Sequence, residues 1–174
     1  MTDYPKTLLF IDGIWREGAA ARTLPVYNPA TDEVIGQVSC AETQDLEEVA
    51  DAVERGFRVW RRISAFERYK IMRKAAQLLR DRVERIALLM TLEQGKPLAE
   101  ARMEILAGAD TIDWFAEECR RAYGRVIPAR QEDVYQLVIK EPVGPVAAFT
   151  PWNFPINQIV RKLAAALAAG CSIV

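Results

Sequence analysis

Histidine is missing altogether from these 174 residues. That removes the base of Ser-His and Cys-His nucleophile pairs and nearly all transition-metal site designs, so no metal is expected. Cysteine is scarce: Cys40, Cys119 and Cys171 are far apart and odd in number. They suit a reducing compartment better than a disulfide framework. Neither sign of charge dominates, since 23 basic and 24 acidic side chains leave a net charge of −1. There is no electrostatic case for nucleic acid or an anionic membrane. No apolar run approaches the length of a spanning helix, and Met1 to Arg16 lacks the basic-then-apolar layout of a signal peptide. The cytoplasm is the expected location. Gly144 and Gly170 have no GxG partner, so the Gly-rich dinucleotide fingerprint is absent as well.

What is present is globular in character, with 51% hydrophobic and 27% charged residues in the length of one ordinary domain. Thr7 to Trp15 reads as a hairpin around an Asp12-Gly13 turn. Tyr27 to Asp32 is turn chemistry, and Glu33 to Ser39 a short strand. Leu46, Val49, Ala50, Val53, Phe57 and Trp60 then recur at three- and four-residue steps, the face of a helix. Ser64 and Glu67 have the spacing of a capping box. The helix they open is predicted to turn Ile71, Met72, Ala75, Leu78, Leu79, Val83, Ile86 and Met90 inward, until Gly95-Lys96-Pro97 stops it. A third helix is predicted from Leu98 to Tyr123, with Ile105, Ala109, Ile112, Phe115 and Cys119 as its buried stripe and Gly124 as its end. Val126 to Lys140 is extended in character, VIPAR then VYQLVIK, around a polar Arg130 to Asp133 tip. It reads as a protruding β-hairpin with nothing of its own to pack on, and so is expected to lie against another subunit.

Chemistry is concentrated between Glu141 and Val174. Pro145 to Phe149 reads as a buried strand and Pro151-Trp152-Asn153-Phe154-Pro155 as a proline-bracketed turn. A helix follows from Ile156 to Ala169, Gly170 caps it, and a second strand opens. This is the first half of a nucleotide-binding βαβ unit. The sequence stops inside its second strand, which suggests a fragment. Asn153 sits at the carboxyl end of the first strand, where open α/β sheets bind ligands. Its side-chain N–H groups can face a developing oxyanion, or the residue can simply shape the turn, and spacing alone favours the turn. Trp152 taken alone reads as core rather than as a ligand platform. The division expected is 1–123 for the N-terminal strands and helices, 124–142 for the hairpin and 143–174 for the truncated βα(β) unit.

The motifs FIDGIW, YNPATDEVIGQV, TLEQGKP, EPVG, PWNFP and RKLAAALAAGC, in this order, closely resemble the NAD(P)-dependent aldehyde dehydrogenase superfamily. The resemblance runs the length of the chain. It implies an α/β fold: helices, the start of a Rossmann-like parallel sheet and a protruding β-hairpin used in oligomerisation. It implies NAD or NADP as cofactor, an aldehyde substrate and a homodimer or homotetramer. Residue by residue, Asn153 matches the family's oxyanion donor. Trp152 and Asn153, with the backbone of Phe149 and Thr150, match positions beside the cofactor's ribose and nicotinamide. Phe154 matches an aromatic wall of the substrate tunnel. Arg161 matches an arginine that semialdehyde dehydrogenases use for a substrate carboxylate, against the plainer alternative of a solvated or salt-bridged side chain. Lys162 matches a lysine with a supporting role. The family's adenine-ribose lysine, phosphate-binding turn, general-base Glu and nucleophilic Cys would fall past Val174. No cysteine here matches that nucleophile, and Cys171 reads as a small buried hydrophobe.

The reaction so implied is oxidation of an aldehyde, with a carboxylated one such as succinate semialdehyde as the candidate, to its acid through a cysteine thiohemiacetal. The 174 residues alone would be inactive. Two alternatives stand beside this: a non-catalytic folded or oligomerising module, and an acylating enzyme that passes the acyl group to coenzyme A.

Overall fold

The structure, a computed structural model, describes residues 4–174, so the first three residues of the segment read against a signal peptide lie outside it. Asp12 (φ +51°) and Gly13 (φ +82°) close a hairpin of β1 (Leu9–Ile11) and β2 (Ile14–Arg16), with Ile11 opposite Ile14. Positive φ at both central residues is the turn geometry that follows the twist of paired strands, and Asp-Gly supplies it. β3 (Thr23–Tyr27) pairs antiparallel with β4 (Val34–Ser39). The sequence pattern anticipates only β4, because Pro25 stands in the middle of β3. Among the described residues β3 is paired on one side only, and at such an open edge a missing N–H is tolerated.

Helix α1 (Thr43–Trp60) is tied to β2 at its start. The Asp45 side chain is fully buried and accepts hydrogen bonds from Ala19 N (3.0 Å), Glu42 N (2.8 Å) and Arg16 Nη1 (2.6 Å). The two backbone donors, reinforced by the Arg16 guanidinium, hold its carboxyl below the usual carboxylate range. The predicted apolar face is only partly covered. Val49, Val53, Phe57 and Trp60 are half-buried, whereas Leu46 and Ala50 are exposed. Trp60 Nε1 donates to Leu167 O (2.9 Å) and Ser172 Oγ to Val53 O (2.6 Å), so α1 lies against the C-terminal segment.

The single helix predicted between Ser64 and Met90 is two, α2 (Ala65–Asp81) and α3 (Val83–Gln94), broken at Arg82 (φ −106°, ψ 10°). Both lie on α4 (Leu98–Cys119). Met72 and Ala76 of α2 pack with Ala109, Ile112 and Ala116, while Ala87 and Met90 of α3 pack with Ala101 and Ile105. The two halves thus serve opposite ends of α4, which one straight stripe would not do. Ile71, Ala75 and Leu78 point outward, contrary to the prediction, because the buried stripe of α2 runs through Met72, Ala76 and Leu79. Only half of the capping box forms: Ser64 Oγ accepts from Glu67 N (3.2 Å), but the Glu67 carboxylate bonds Lys70. Helix α4 ends at Cys119 rather than Tyr123. The amides of Arg120 and Arg121 fold back onto Glu117 O and Glu118 O, and Gly124 lies outside the helix.

β5 (Arg125–Ile127) and β6 (Gln136–Val138) form an antiparallel hairpin whose strand residues are all exposed. Beyond it, Val146 N donates to Ser172 O (2.9 Å), Val174 N to Val146 O (2.9 Å) and Ala148 N to Val174 O (2.7 Å). These three bonds make a parallel pair, with α5 (Asn157–Ala169) as the crossover. Val160, Ala164 and Ala168, one face of α5, complete the core with α2 and α4. Gly170 (φ +92°) ends α5 in the left-handed conformation that favours glycine. The architecture is the α/β arrangement anticipated, helices with the opening of a parallel sheet and a separate hairpin. No helix among the described residues is long and apolar enough to cross a membrane.

Candidate active site

The turn from Pro151 to Pro155 joins the carboxyl end of the first parallel strand to the start of α5, the position at which open α/β sheets receive ligands. Its local sequence cannot cap the helix. Pro155 has no N–H, and the N-cap residue Ile156 has no side-chain oxygen to offer. The free N–H groups of the first turn are satisfied from elsewhere: Glu104 Oε1 on α4 accepts from Ile156 N (2.9 Å) and Asn157 N (3.1 Å). A carboxylate there also faces the positive end of the helix dipole.

Glu104 keeps only 2% of its side-chain surface in contact with solvent, and its other oxygen is paired with Lys96 Nζ. Lys96, itself 11% exposed, places its ammonium over the Phe154 ring (4.3 Å to the centroid) and donates to Asn153 O (3.4 Å). Gln94 Nε2 donates to Trp152 O (3.0 Å). The turn is therefore bonded at Trp152 and Asn153, and the start of α5 at Ile156 and Asn157, by three side chains of the α3–α4 corner. α5 approaches α4 closely enough to need Gly108, where an added Cβ would lie 2.7 Å from Ile156 Cγ2.

The residues anticipated from sequence fall on this surface. Phe149 (86%), Trp152 (80%), Thr150 and Asn153 are exposed, and Phe154 retains 46% of its surface. Trp152 is thus not a core residue, which corrects the expectation drawn from it alone: the turn carries its ring outward, while its carbonyl makes the bond to Gln94. Among the described residues the Asn153 side chain enters no hydrogen bond, although its carbonyl does. Arg161 stands on the exposed side of α5 with no ion pair among the described residues. Lys162 is half-buried and bonds Gln158 of its own helix. Phe149 also lines an apolar groove of about 420 Å³ with Val49, Val53, Val146 and Val174. Cys119 and Cys171 are buried, and burial pushes the Cys119 thiol up.

Gln94, Lys96 and Glu104 are the site residues that the sequence reading misses. One signal was available. Glu104 falls in the apolar repeat Ala101, Ile105, Gly108, Ala109, Ile112, so a carboxylate had to be carried into the core by that periodicity.

Residues 15–174 match the aldehyde dehydrogenase family. The chain is 51% identical over 166 residues to the 4-(hydroxymethyl)benzenesulfonate dehydrogenase TsaD1 of Comamonas testosteroni, covering 95% of this chain and 35% of that one. It is 46% identical over 165 residues to a glutarate-semialdehyde dehydrogenase of Pseudomonas putida, covering 95% and 34%. Its structure superposes on that of an NADP-dependent enzyme of E. coli with a TM-score of 0.94 at 43% identity, over 97% of this chain and 35% of the other. The chain belongs to the aldehyde dehydrogenase family. It spans about a third of the length of the curated relatives it matches.

Proposed function

We propose that the chain supplies the oxyanion donor, and parts of the cofactor and substrate surfaces, of an NAD(P)-dependent aldehyde dehydrogenase acting on a small aldehyde with an acidic far end. In the reaction a cysteine thiolate, outside these residues by the family resemblance, bonds to the aldehyde carbon as the carbonyl π pair moves onto oxygen. Asn153 donates a side-chain N–H to that oxyanion. NAD or NADP, held against Phe149, Thr150 and Trp152, would supply the acceptor for the hydride on that carbon. A water activated by a glutamate then releases the thioester as the carboxylic acid and restores the thiol.

The observation that carries this reading is an exposed Asn153 amide, uncommitted among the described residues, on a turn whose backbone is bonded on both sides. A residue that only shaped its turn would spend its side chain on the turn. The same surface would receive the cofactor. Phe149 and Trp152 are large, exposed aromatics at the strand end, and Thr150 lies between them. With no Gly-rich fingerprint in the chain, the phosphates would be held by other means. Phe154 would form one wall of the substrate passage. Arg161, which has no ion pair among the described residues, would bind a carboxylate as a fork. A sulfonate is the second candidate for that position, favoured by the 51% identity to a dehydrogenase of a benzenesulfonate. Three cysteines, odd in number and far apart in sequence, suit a reducing setting such as the cytoplasm.

The test is Asn153→Ala in the full-length enzyme. Turnover should fall roughly 100- to 1000-fold, the usual cost of one oxyanion donor, with the dissociation constant for NAD(P) little changed. Turnover like that of the unmodified enzyme would exclude the oxyanion role.

A further inference from the structure

We propose that Glu104 and Lys96 are positioning residues for Asn153, an ion pair retained to aim the amide of that residue rather than to hold the fold. The inference rests on the oxyanion reading above and adds to it the device that fixes the donor. A buried ion pair is a poor choice for stability alone, because apolar side chains of similar volume commonly do as well or better. This one is buried within an apolar stripe, yet among the described residues its other side-chain bonds go to the carbonyl of Asn153 and to the first amides of the helix that follows it.

The geometry divides the labour. Glu104 takes the two N–H groups that α5 cannot cap for itself, and so sets where the helix begins on α4. Lys96 neutralises that carboxylate and spans to the carbonyl of Asn153 and the ring of Phe154. Asn153 is thereby held through its own carbonyl on one side and through the amides three and four residues later on the other. Neither partner touches the Asn153 amide, which stays available to a ligand. Gln94, bonded to Trp152 O, fixes the residue before it. Removing the charge of Glu104 would leave the turn in place but loosen its register, and a donor misplaced by a fraction of an ångström loses its advantage in the transition state.

A double-mutant cycle in the full-length enzyme tests this. Glu104→Gln keeps an acceptor of nearly the same shape and removes the charge. It should lower kcat about tenfold or more, with KM for the aldehyde and the dissociation constant for NAD(P) within about twofold. In an Asn153→Ala background the same change should cost nothing further, because the residue it acts through is gone. Should Glu104→Gln fold poorly, the neutral pair Lys96→Met with Glu104→Gln leaves no lone buried charge and is read in the same cycle. Equal losses of kcat with and without Asn153 would show a general structural role and overturn the proposal, as would unchanged kcat in a folded Glu104→Gln enzyme. Those results leave the oxyanion reading standing. Unaltered turnover in Asn153→Ala alone would remove that reading, and the positioning role with it.

Discussion

Arginines in this molecule fall into two kinds. Arg80 is bonded to Asp110 (2.5 Å) and Asp113 (2.8 Å), and Arg102 grips Glu84 through both Nε and Nη2. Each already has the carboxylate that a guanidinium fork seeks. Arg161 has none among the described residues, and it stands on the exposed side of the helix that the candidate turn begins. An acidic substrate would supply the missing partner. A hydrogen bond to a charged group contributes about 1.5–3 kcal/mol, or roughly ten- to a hundredfold in affinity. Arg161→Leu in the full-length enzyme should therefore raise KM for a carboxylated semialdehyde by about that factor and leave a neutral aldehyde of similar size nearly unaffected. Steady-state kinetics on the two substrates decides it, and equal effects on both would refute recognition of the acidic group. At this scale the sequence was informative about residue type and order. It did not reveal exposure: the outward ring of Trp152 follows from tertiary bonds to its backbone.

Helix α5 carries the turn, and its seat is Gly108 on α4. An alanine Cβ there would meet Ile156 Cγ2 at 2.7 Å, a methyl on a stiff β-branched side chain at the first turn of α5. The helix would have to move away, and α5 is held to α4 at the same end by Glu104. Gly108→Ala should cost about 1–3 kcal/mol of stability through overpacking, visible in chemical denaturation. It should lower kcat as well, because the turn that bears Asn153 leads directly into the displaced helix; full activity in a destabilised variant would show that the turn tolerates the shift. Elements with a local marker were legible in the sequence: the Asp12-Gly13 hairpin, the Gly170 cap and the βαβ order. The break at Arg82 was not, since Asp81-Arg82-Val83 contains neither glycine nor proline and the division comes from packing on two parts of α4. β3 was obscured by Pro25, and the Glu104 cap joins groups 52 and 53 residues apart, beyond any local pattern.

The whole molecule presents its unused apolar surface in two different forms. Grooves of about 600 and 420 Å³ flank α1 and are concave, lined by Trp60, Leu163 and Leu167 in one and by Val53, Val146 and Phe149 in the other. The β5–β6 hairpin is the opposite: its strands are exposed on every residue, with Val126 at 74%, Leu137 at 67% and Ile139 just beyond at 71%. A two-stranded ribbon is marginal in water, and both its edges offer free backbone groups to a partner strand. We propose that the segment 124–142 joins subunits into a homodimer or homotetramer. Burying a Val, Leu or Ile side chain contributes about 1.5–3 kcal/mol. Replacing Val126, Leu137 and Ile139 together by serine should therefore raise the dissociation constant of the full-length assembly by at least about a hundredfold. Light scattering across a dilution series should show the mass falling to smaller species at concentrations where the unmodified enzyme stays whole. An unchanged mass throughout would place the subunit interface elsewhere on the molecule.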